Sequence, residues 1–183
     1  MKDEITLWWL ANEAPICMDQ TPVQNVDVVK SLETTLTILN HKLKHGVVVQ
    51  RDYEPVPLLV NSFGSELNQV WTNIIDNAID AMGGKGELRV RTYREDDCVV
   101  VEIADNGPGI SPDIQPHIFE PFFTTKKVGE GTGLGLDTAL RIVKKHRGTI
   151  EVSSKPRDTR FQVWLPLAEG SIHDRDSGNL RAH

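Results

Sequence analysis

The sequence has few cysteines, a shortage of basic residues and no long hydrophobic run. Its two cysteines, Cys17 and Cys98, are far apart and lack the paired spacing of a metal knuckle, which indicates a reducing compartment. Twenty Lys and Arg residues against 26 Asp and Glu give a net charge of −6, which argues against the basic face typical of nucleic-acid binders. The apolar run at residues 5–11 is too short to span a bilayer. We therefore expect a cytoplasmic protein without a nucleic-acid partner or direct membrane contact.

Three regions differ in pattern along the 183 residues. Residues 1–25 combine an apolar end with two prolines, and we interpret them as a linker or a remnant of an upstream helical region, with a dimer contact as the alternative. Residues 26–167 carry regular periodicities and are predicted to form one domain. Residues 168–183 are polar and lack periodicity, and they are predicted to form a flexible tail.

Helix and strand periodicities alternate within the predicted domain. Apolar residues at three- and four-residue steps predict helices at residues 26–45, 65–82 and 134–146. Shorter apolar or alternating runs predict strands at residues 47–53, 87–93, 98–104, 149–154 and 160–165. Ser65 is the expected N-cap of the second helix.

The helix predicted at residues 65–82 has a polar face of unusual composition. Asn73 and Asn77 lie one turn apart and point the same way. A solvated helix face would normally carry Lys and Glu, because asparagine is a poor helix former. We infer that the two amide oxygens have a task, and a hard cation with phosphate oxygens is the obvious partner.

Two glycine-rich turns occupy the middle of the chain. Asp105 ends a predicted strand, where its carboxylate can accept a hydrogen bond from an amine such as that of adenine. Gly107 and Gly109 lack side chains, so a flat ligand can approach the backbone closely. The three glycines within residues 131–136 precede a predicted helix, whose unpaired first N–H groups suit a phosphate. Taken singly, each turn also has an ordinary structural interpretation.

Four motifs occur in a fixed order along the chain. They are Asn73-Ile-Ile-Asp-Asn77-Ala, Asp105-Asn-Gly-Pro-Gly109, Phe119-Glu-Pro-Phe-Phe-Thr-Thr-Lys126 and Gly131-Thr-Gly-Leu-Gly-Leu136. In this order they resemble the N box, first glycine box, F box and second glycine box of the ATP-binding catalytic domain of two-component sensor histidine kinases. That domain belongs to the superfamily shared with DNA gyrase B, the large heat-shock chaperone and the mismatch-repair ATPases. The resemblance covers about residues 26–167.

The resemblance implies ATP and Mg²⁺ as ligands and gives roles to individual residues. Asn77 would ligate Mg²⁺ through its side-chain oxygen, and Asn73 would support the phosphates. Asp105 would accept from the adenine amine, and Lys126 would act with Asn73 and Asn77 in catalysis. The other implied nucleotide contacts are Gly107, Gly109 and Thr159 near adenine, Phe119, Thr124 and Thr125 with Lys126 in a mobile lid, and Gly131, Gly133, Leu134, Gly135 and Leu136 around the phosphates.

The fold implied is the Bergerat ATP-binding fold, a two-layer α/β (α+β) sandwich. Its mixed, mainly antiparallel sheet would be covered on one face by the three predicted helices. ATP would lie between the helices and the lid, on the layer away from the sheet. The lid, from about residue 121 to residue 131, is expected to be mobile without nucleotide.

Three features depart from the family pattern. The family often carries Lys or Arg three residues after the second Asn, whereas this chain has Asp80. The loop at residues 155–158 lacks the usual glycines and is short. The family's phosphoacceptor is a His followed by an acidic residue on a long helix, and the one such pair, His173-Asp174, falls in the predicted tail, where we interpret it as a coincidence.

The residue four positions before Asn77 favours a kinase over a hydrolase. In hydrolytic relatives this position holds a Glu that activates water, but Asn73 cannot accept a proton. The expected activity is transfer of the γ-phosphoryl group to a His on a separate dimerisation domain, with a response regulator as the downstream partner. A non-catalytic ATP-binding interaction module and an anti-sigma-type serine kinase are the alternatives.

Overall fold

The structure, a computed structural model of the chain, describes residues 24–127 and 131–168. The predicted linker up to residue 23, the predicted tail from residue 169 and the pair His173-Asp174 lie outside these residues. Within the described part of the chain, no helix is long and apolar enough to cross a membrane.

A five-stranded sheet forms one layer of the fold. The described residues form seven strands, of which β1 and β3 make a separate small sheet: β1 (Gln24–Asp27), β2 (Val47–Tyr53), β3 (Leu59–Ser62), β4 (Gly86–Glu95), β5 (Cys98–Asp105), β6 (Thr149–Lys155) and β7 (Asp158–Pro166). The order in the large sheet is β2-β4-β5-β7-β6, with β2 parallel to β4 and the other pairs antiparallel. The predicted α/β fold with a mixed, mainly antiparallel sheet is confirmed.

Helices form the second layer. They are α1 (Val28–Ile38), α2 (Asn40–Leu43), α3 (Gly64–Ala81) and α4 (Gly135–Lys145), with a 3-10 turn at Gln115–His117. α3 contacts α1, α4 and the central strands β4 and β5. Its Trp71 is fully buried, and the indole N–H donates to Ser31 Oγ at 3.0 Å. Burial of a large side chain of this kind stabilises the fold by roughly 2–3 kcal/mol, so α3 is anchored firmly in the core.

The first helix differs from its prediction at both ends. The predicted helix at 26–45 begins only at Val28, because residues 24–27 pair with β3 as a strand. Asp27 caps the helix by accepting from Val29 N at 3.0 Å. The helix is interrupted at Leu39 and continues as the short α2.

The start of α3 also differs from the prediction. Its N-cap is Phe63, so the prediction of Ser65 as N-cap is wrong, and no side chain from the described ranges caps the first turn. Glu66 in that first turn instead bonds Lys145 Nζ at 2.5 Å and His146 Nε2 at 2.8 Å. These contacts tie the beginning of α3 to the end of α4. At its other end α3 stops before Gly83, whose φ of 62° is left-handed.

The small sheet of β1 and β3 is absent from the sequence prediction. Both strands have four residues, too few for a clear alternation of side chains. The sheet is joined to the main fold where Leu167 bridges Val60 and Ala168 N donates to Leu59 O at 2.8 Å.

Candidate functional site

A cavity of about 1130 Å³ lies between α3, the end of β5 and the segment that leads into α4. Twelve of the residues predicted from the sequence line it: Asn73, Asn77, Asp105, Gly109, Thr124, Thr125, Lys126, Gly131, Gly133, Gly135, Leu136 and Thr159. The fold therefore brings together residues that span 87 positions of the chain.

Three predicted residues lie next to the cavity without lining it. Gly107 borders a smaller neighbouring cavity, and a Cβ there would lie 2.7 Å from Asp105 Oδ1. Phe119 packs edge-on against Phe161, which does line the main cavity, with the ring centroids 6.4 Å apart. Leu134 is the N-cap residue of α4. The assignment of these three residues to the nucleotide site stays a prediction.

One end of the cavity holds a buried carboxylate. Asp105 is 4% exposed, and its Oδ1 accepts from Gly107 N at 2.9 Å. Burial raises the pKa of Asp105 above its usual value, because the charged form loses hydration. Thr159 lies directly across the sheet from it and is also buried. Among the described residues no donor bonds to Oδ2, so this oxygen can accept from a ligand amine.

The short loop at residues 155–158 packs on the first glycine turn. A Cβ at Gly109 would lie 2.9 Å from the carbonyl carbon of Lys155, so only glycine fits there without a shift. Arg157 N also donates to Gly107 O at 2.8 Å. These two close contacts hold the first glycine turn against the loop, beside Asp105.

The polar face of α3 lines another part of the cavity. Asn73 Nδ2 is buried and has no hydrogen-bond partner among the described residues. Gly135 lies beside Asn73, and a Cβ there would be 3.5 Å from Asn73 Oδ1. A buried amide without an acceptor costs roughly 1–3 kcal/mol, so an anionic ligand oxygen at this position would relieve it. This orphaned donor fits a phosphate.

Lys126 reaches from the F box to the same helix face. Its Nζ lies 3.3 Å from Asn77 Oδ1 and 2.5 Å from Asp80 Oδ2. Asp80 occupies the position where the family often has a Lys or Arg. Lys126, from another segment, places a positive charge beside that position. Asn77 Oδ1 contacts a cationic group here, which shows that it can face a positive charge.

The second glycine turn supplies a backbone wall. Gly133 has a φ of 65°, and a Cβ there would lie 2.4 Å from the carbonyl carbon of Phe122. Phe122 N donates to Gly133 O at 2.9 Å, which joins the F box to this turn. Among the described residues, no side chain caps the first turn of α4, so its N–H groups can donate to an anion.

Several residues that line the cavity were not predicted from motifs. Lys42 and His45 come from the segment around α2, and Lys42 Nζ donates to Asp76, which precedes Asn77. No local pattern marks Lys42, because its partner lies 34 residues away in sequence. The apolar part of the wall comes from Ile110, Ile114, Ile118, Phe123 and Phe161.

The described residues contain no group of three or more His, Cys, Asp or Glu side chains placed to hold a metal ion. A cation at Asn77 would therefore share one protein oxygen with oxygens of a ligand. Mg²⁺ is commonly bound in this way, through one or two protein groups together with substrate phosphates and water.

A model of the histidine kinase-, DNA gyrase B-, and HSP90-like ATPase family matches residues 64–169 of the chain. The sensory histidine kinase/phosphatase NtrB of Escherichia coli O157:H7 is 36% identical over 152 residues, which cover 75% of this chain and 42% of that protein. NtrB of Rhizobium meliloti is 29% identical and covers 92% of this chain. The chain spans less than half the length of these curated relatives.

Solved structures with the same fold are similar to the chain over most of its length. The catalytic domain of histidine kinase ThkA superposes with a TM-score of 0.73 at 26% identity, covering 80% of this chain and 96% of that domain.

Proposed function

We propose that this chain, which belongs to the family of histidine kinase-, DNA gyrase B-, and HSP90-like ATPases, is the ATP-binding catalytic part of a sensor histidine kinase. One observation carries the proposal. The two asparagines of α3, the buried Asp105 and the second glycine turn line one cavity. Gly107, which bonds Asp105, lies beside Ala81, whereas Gly135 lies beside Asn73, eight residues earlier in α3. This arrangement supports a ligand with an amine at one end and phosphates at the other.

The adenine end would be recognised by Asp105. Its Oδ1 is held by Gly107 N, which leaves Oδ2 to accept from the exocyclic amine. Thr159 and the backbone beside Gly109 would border the ring, and Ile110 and Phe161 supply an apolar wall. A carboxylate that accepts rather than donates favours adenine over guanine, which presents a carbonyl oxygen at the corresponding ring position.

The phosphate end would be held by α3 and the second glycine turn. Asn73 Nδ2 supplies a buried donor, and the first N–H groups of α4 supply others. Lys126 supplies a positive charge beside Asn77. Mg²⁺, which Asn77 Oδ1 would ligate, neutralises phosphate charge when bound. These groups orient the γ-phosphoryl group, and such positioning is most of the catalysis in phosphoryl transfer.

The described carboxylates on either side of Asn77 are both bonded to lysines, Asp80 to Lys126 and Asp76 to Lys42. Asn73 cannot accept a proton, and the carboxylate of Asp76 accepts a hydrogen bond from Lys42 Nζ. The nucleophile would therefore come from another domain. We propose that it is a His on a dimerisation domain of the same or a partner kinase, that a response regulator receives the phosphoryl group, and that these steps occur in the cytoplasm. The names of the relatives, sensory histidine kinase/phosphatase, support this assignment.

Calorimetry on the isolated chain tests the nucleotide part of the proposal. We expect ATP to bind in the presence of Mg²⁺, binding to weaken when Mg²⁺ is chelated, and GTP to bind much more weakly than ATP. We also expect slow turnover of ATP by the chain alone, because no nucleophile is delivered. Absence of ATP binding, or equal binding of GTP, would contradict the assignment.

A further inference from the structure

Two lysines that lie outside α3 approach the helix on either side of Asn77. Lys126 donates to Asp80, three residues after Asn77, and Lys42 donates to Asp76, one residue before it. The lysines come from separate parts of the chain. Both ion pairs border the same cavity.

The described lining of the cavity has more carboxylates than lysines, so these two lysines matter for binding an anionic ligand. Asp76, Asp80 and Asp105 give its described lining three carboxylates, and Lys42 and Lys126 are the two lysines among the described lining residues. A nucleoside triphosphate would bring several further negative charges. Because the α3 position that often carries a cation in the family is Asp80, positive charge must come from other elements.

Lys42 is held firmly enough to serve such a role. Leu39 and Leu43, on either side of it, are each 5% exposed and anchor the short helix α2 in the core. The Lys42 side chain itself is 38% exposed, so it remains accessible from the cavity. The hydrogen bond to Asp76 raises the pKa of Lys42, so the side chain is charged at neutral pH.

We propose that Lys42 contacts a phosphate of the bound nucleotide, and that Asp76 is the counter-ion that shares the charge of the lysine with that phosphate. This inference rests on the proposed function and adds a phosphate-binding residue to it. An ammonium group has three donors, so Lys42 can keep one hydrogen bond to Asp76 while it donates to a phosphate oxygen. Asp76 competes with the phosphate for the same charge.

The alternative is that the ion pair only fastens α2 to α3. The two explanations differ in what each partner does when it is neutralised. If Lys42 contacts phosphate, Lys42→Gln weakens nucleotide binding, whereas Asp76→Asn leaves it unchanged or strengthens it. If the ion pair only stabilises the packing of α2 against α3, both variants have the same effect on binding and on thermal stability.

Titration calorimetry with Mg²⁺ tests this on the whole chain with ATP, ADP and adenosine. We expect Lys42→Gln to weaken ATP binding about tenfold, equal to about 1.4 kcal/mol, to weaken ADP binding by no more than that, and to leave adenosine binding unchanged. Lys42→Arg should bind ATP nearly as tightly as the wild type. Lys44→Gln is the matched control, because Lys44 is an exposed lysine at the end of the same short helix.

The outcomes separate this inference from the proposed function. If the wild type does not bind ATP, the proposed function fails. If the wild type binds ATP but Lys42→Gln binds it as tightly as Lys44→Gln does, the inference about Lys42 is wrong and the proposed function stands. A loss shared equally by Asp76→Asn, or a loss of adenosine binding together with ATP, also overturns the inference. Melting temperatures of all variants check that each is folded.

Discussion

Replacing Asp105 with Asn should abolish most nucleotide affinity, although the two side chains have nearly the same shape. Asp105 Oδ1 already accepts from Gly107 N at 2.9 Å, and Oδ2 is the oxygen proposed for the adenine amine. The carboxylate thus accepts from two donors at once. An amide has one oxygen and one NH2 group, so Asn cannot satisfy both donors in either orientation.

The magnitude follows from these two contacts. A hydrogen bond to a charged acceptor contributes roughly 1.5–3 kcal/mol, and a buried donor left facing another donor costs roughly 1–3 kcal/mol. Allowing for partial relaxation, we expect a loss of about 2–4 kcal/mol, or roughly 30- to 700-fold in Kd. Calorimetry measures this directly. Asp97→Asn is the control, because it removes the same charge from an exposed hairpin turn whose carboxylate side chain is 93% exposed.

The same substitution should stabilise the protein without ligand. Burial raises the pKa of Asp105 in the folded protein, so the ionised carboxylate lowers the free energy of unfolding at pH 7. Asn has no charge and so avoids the cost of burying one, and its Oδ1 can still accept the hydrogen bond from Gly107 N. We expect a gain of roughly 0.5–2 kcal/mol at pH 7, which shrinks as the pH falls through the folded-state pKa of Asp105. An Asn variant that binds ATP as tightly as the wild type, or that is destabilised as well, would refute this account of Asp105.

Three further predictions concern the lid, the second glycine turn and the contact between α3 and α4. Amide hydrogen exchange at residues 121–127 should slow when ATP and Mg²⁺ are added, and unchanged rates at saturation would argue against a lid. Gly133→Ala should weaken ATP binding and destabilise the chain more than Gly83→Ala does, because both share a left-handed backbone but a Cβ at Gly83 meets open space. Gly83→Ala alone should cost roughly 1–2 kcal/mol in denaturant unfolding, and equal effects would contradict the close contact. Burial would raise the pKa of Glu66, but hydrogen bonds from Lys145 and His146 hold it below the usual value. Glu66→Gln should therefore lose roughly 1 kcal/mol of stability at pH 7, and the loss should disappear as the pH falls through the folded-state pKa; a loss that is constant with pH would exclude this explanation.

Local patterns predict the main elements of this chain well. Alternating apolar residues place the five long strands, and the 3.6-residue period places α3 and α4 within one or two residues. The pair β1–β3 escapes prediction because four residues carry too little periodicity. The N-cap of α3 escapes it because no side chain caps that end.

Some residues of the candidate site can be identified from local sequence patterns, and others only from the fold. Glycines can be identified from the sequence because the backbone conformation they serve is local, as the φ of Gly133 illustrates. Asn73 and Asn77 can be identified because they are poor helix formers within a helical pattern. Lys42 could not be identified, since its significance depends on Asp76, 34 residues away. The ion pair of Lys126 with Asp80 joins residues 46 positions apart, so the sequence does not show it either. Sequence alone showed that a cation was missing at Asp80, but only the fold shows which residues approach that position.

Transfer of phosphate to a separate histidine domain is the most direct test of the proposed function. The chain is incubated with γ-labelled ATP, Mg²⁺ and a separate dimerisation domain that carries the family's His-acid pair, alongside the same domain with that His replaced by Gln. We predict weak labelling of the domain that carries the His and no labelling of the domain in which Gln replaces it. The labelling should be lost when the chain carries Asn77→Ala. The phosphate should be labile in acid and stable in alkali, as an N–P bond is. Acid-stable label on the chain itself would contradict the histidine-kinase assignment in favour of a serine kinase. ATP binding without transfer to any such domain would leave a non-catalytic interaction module.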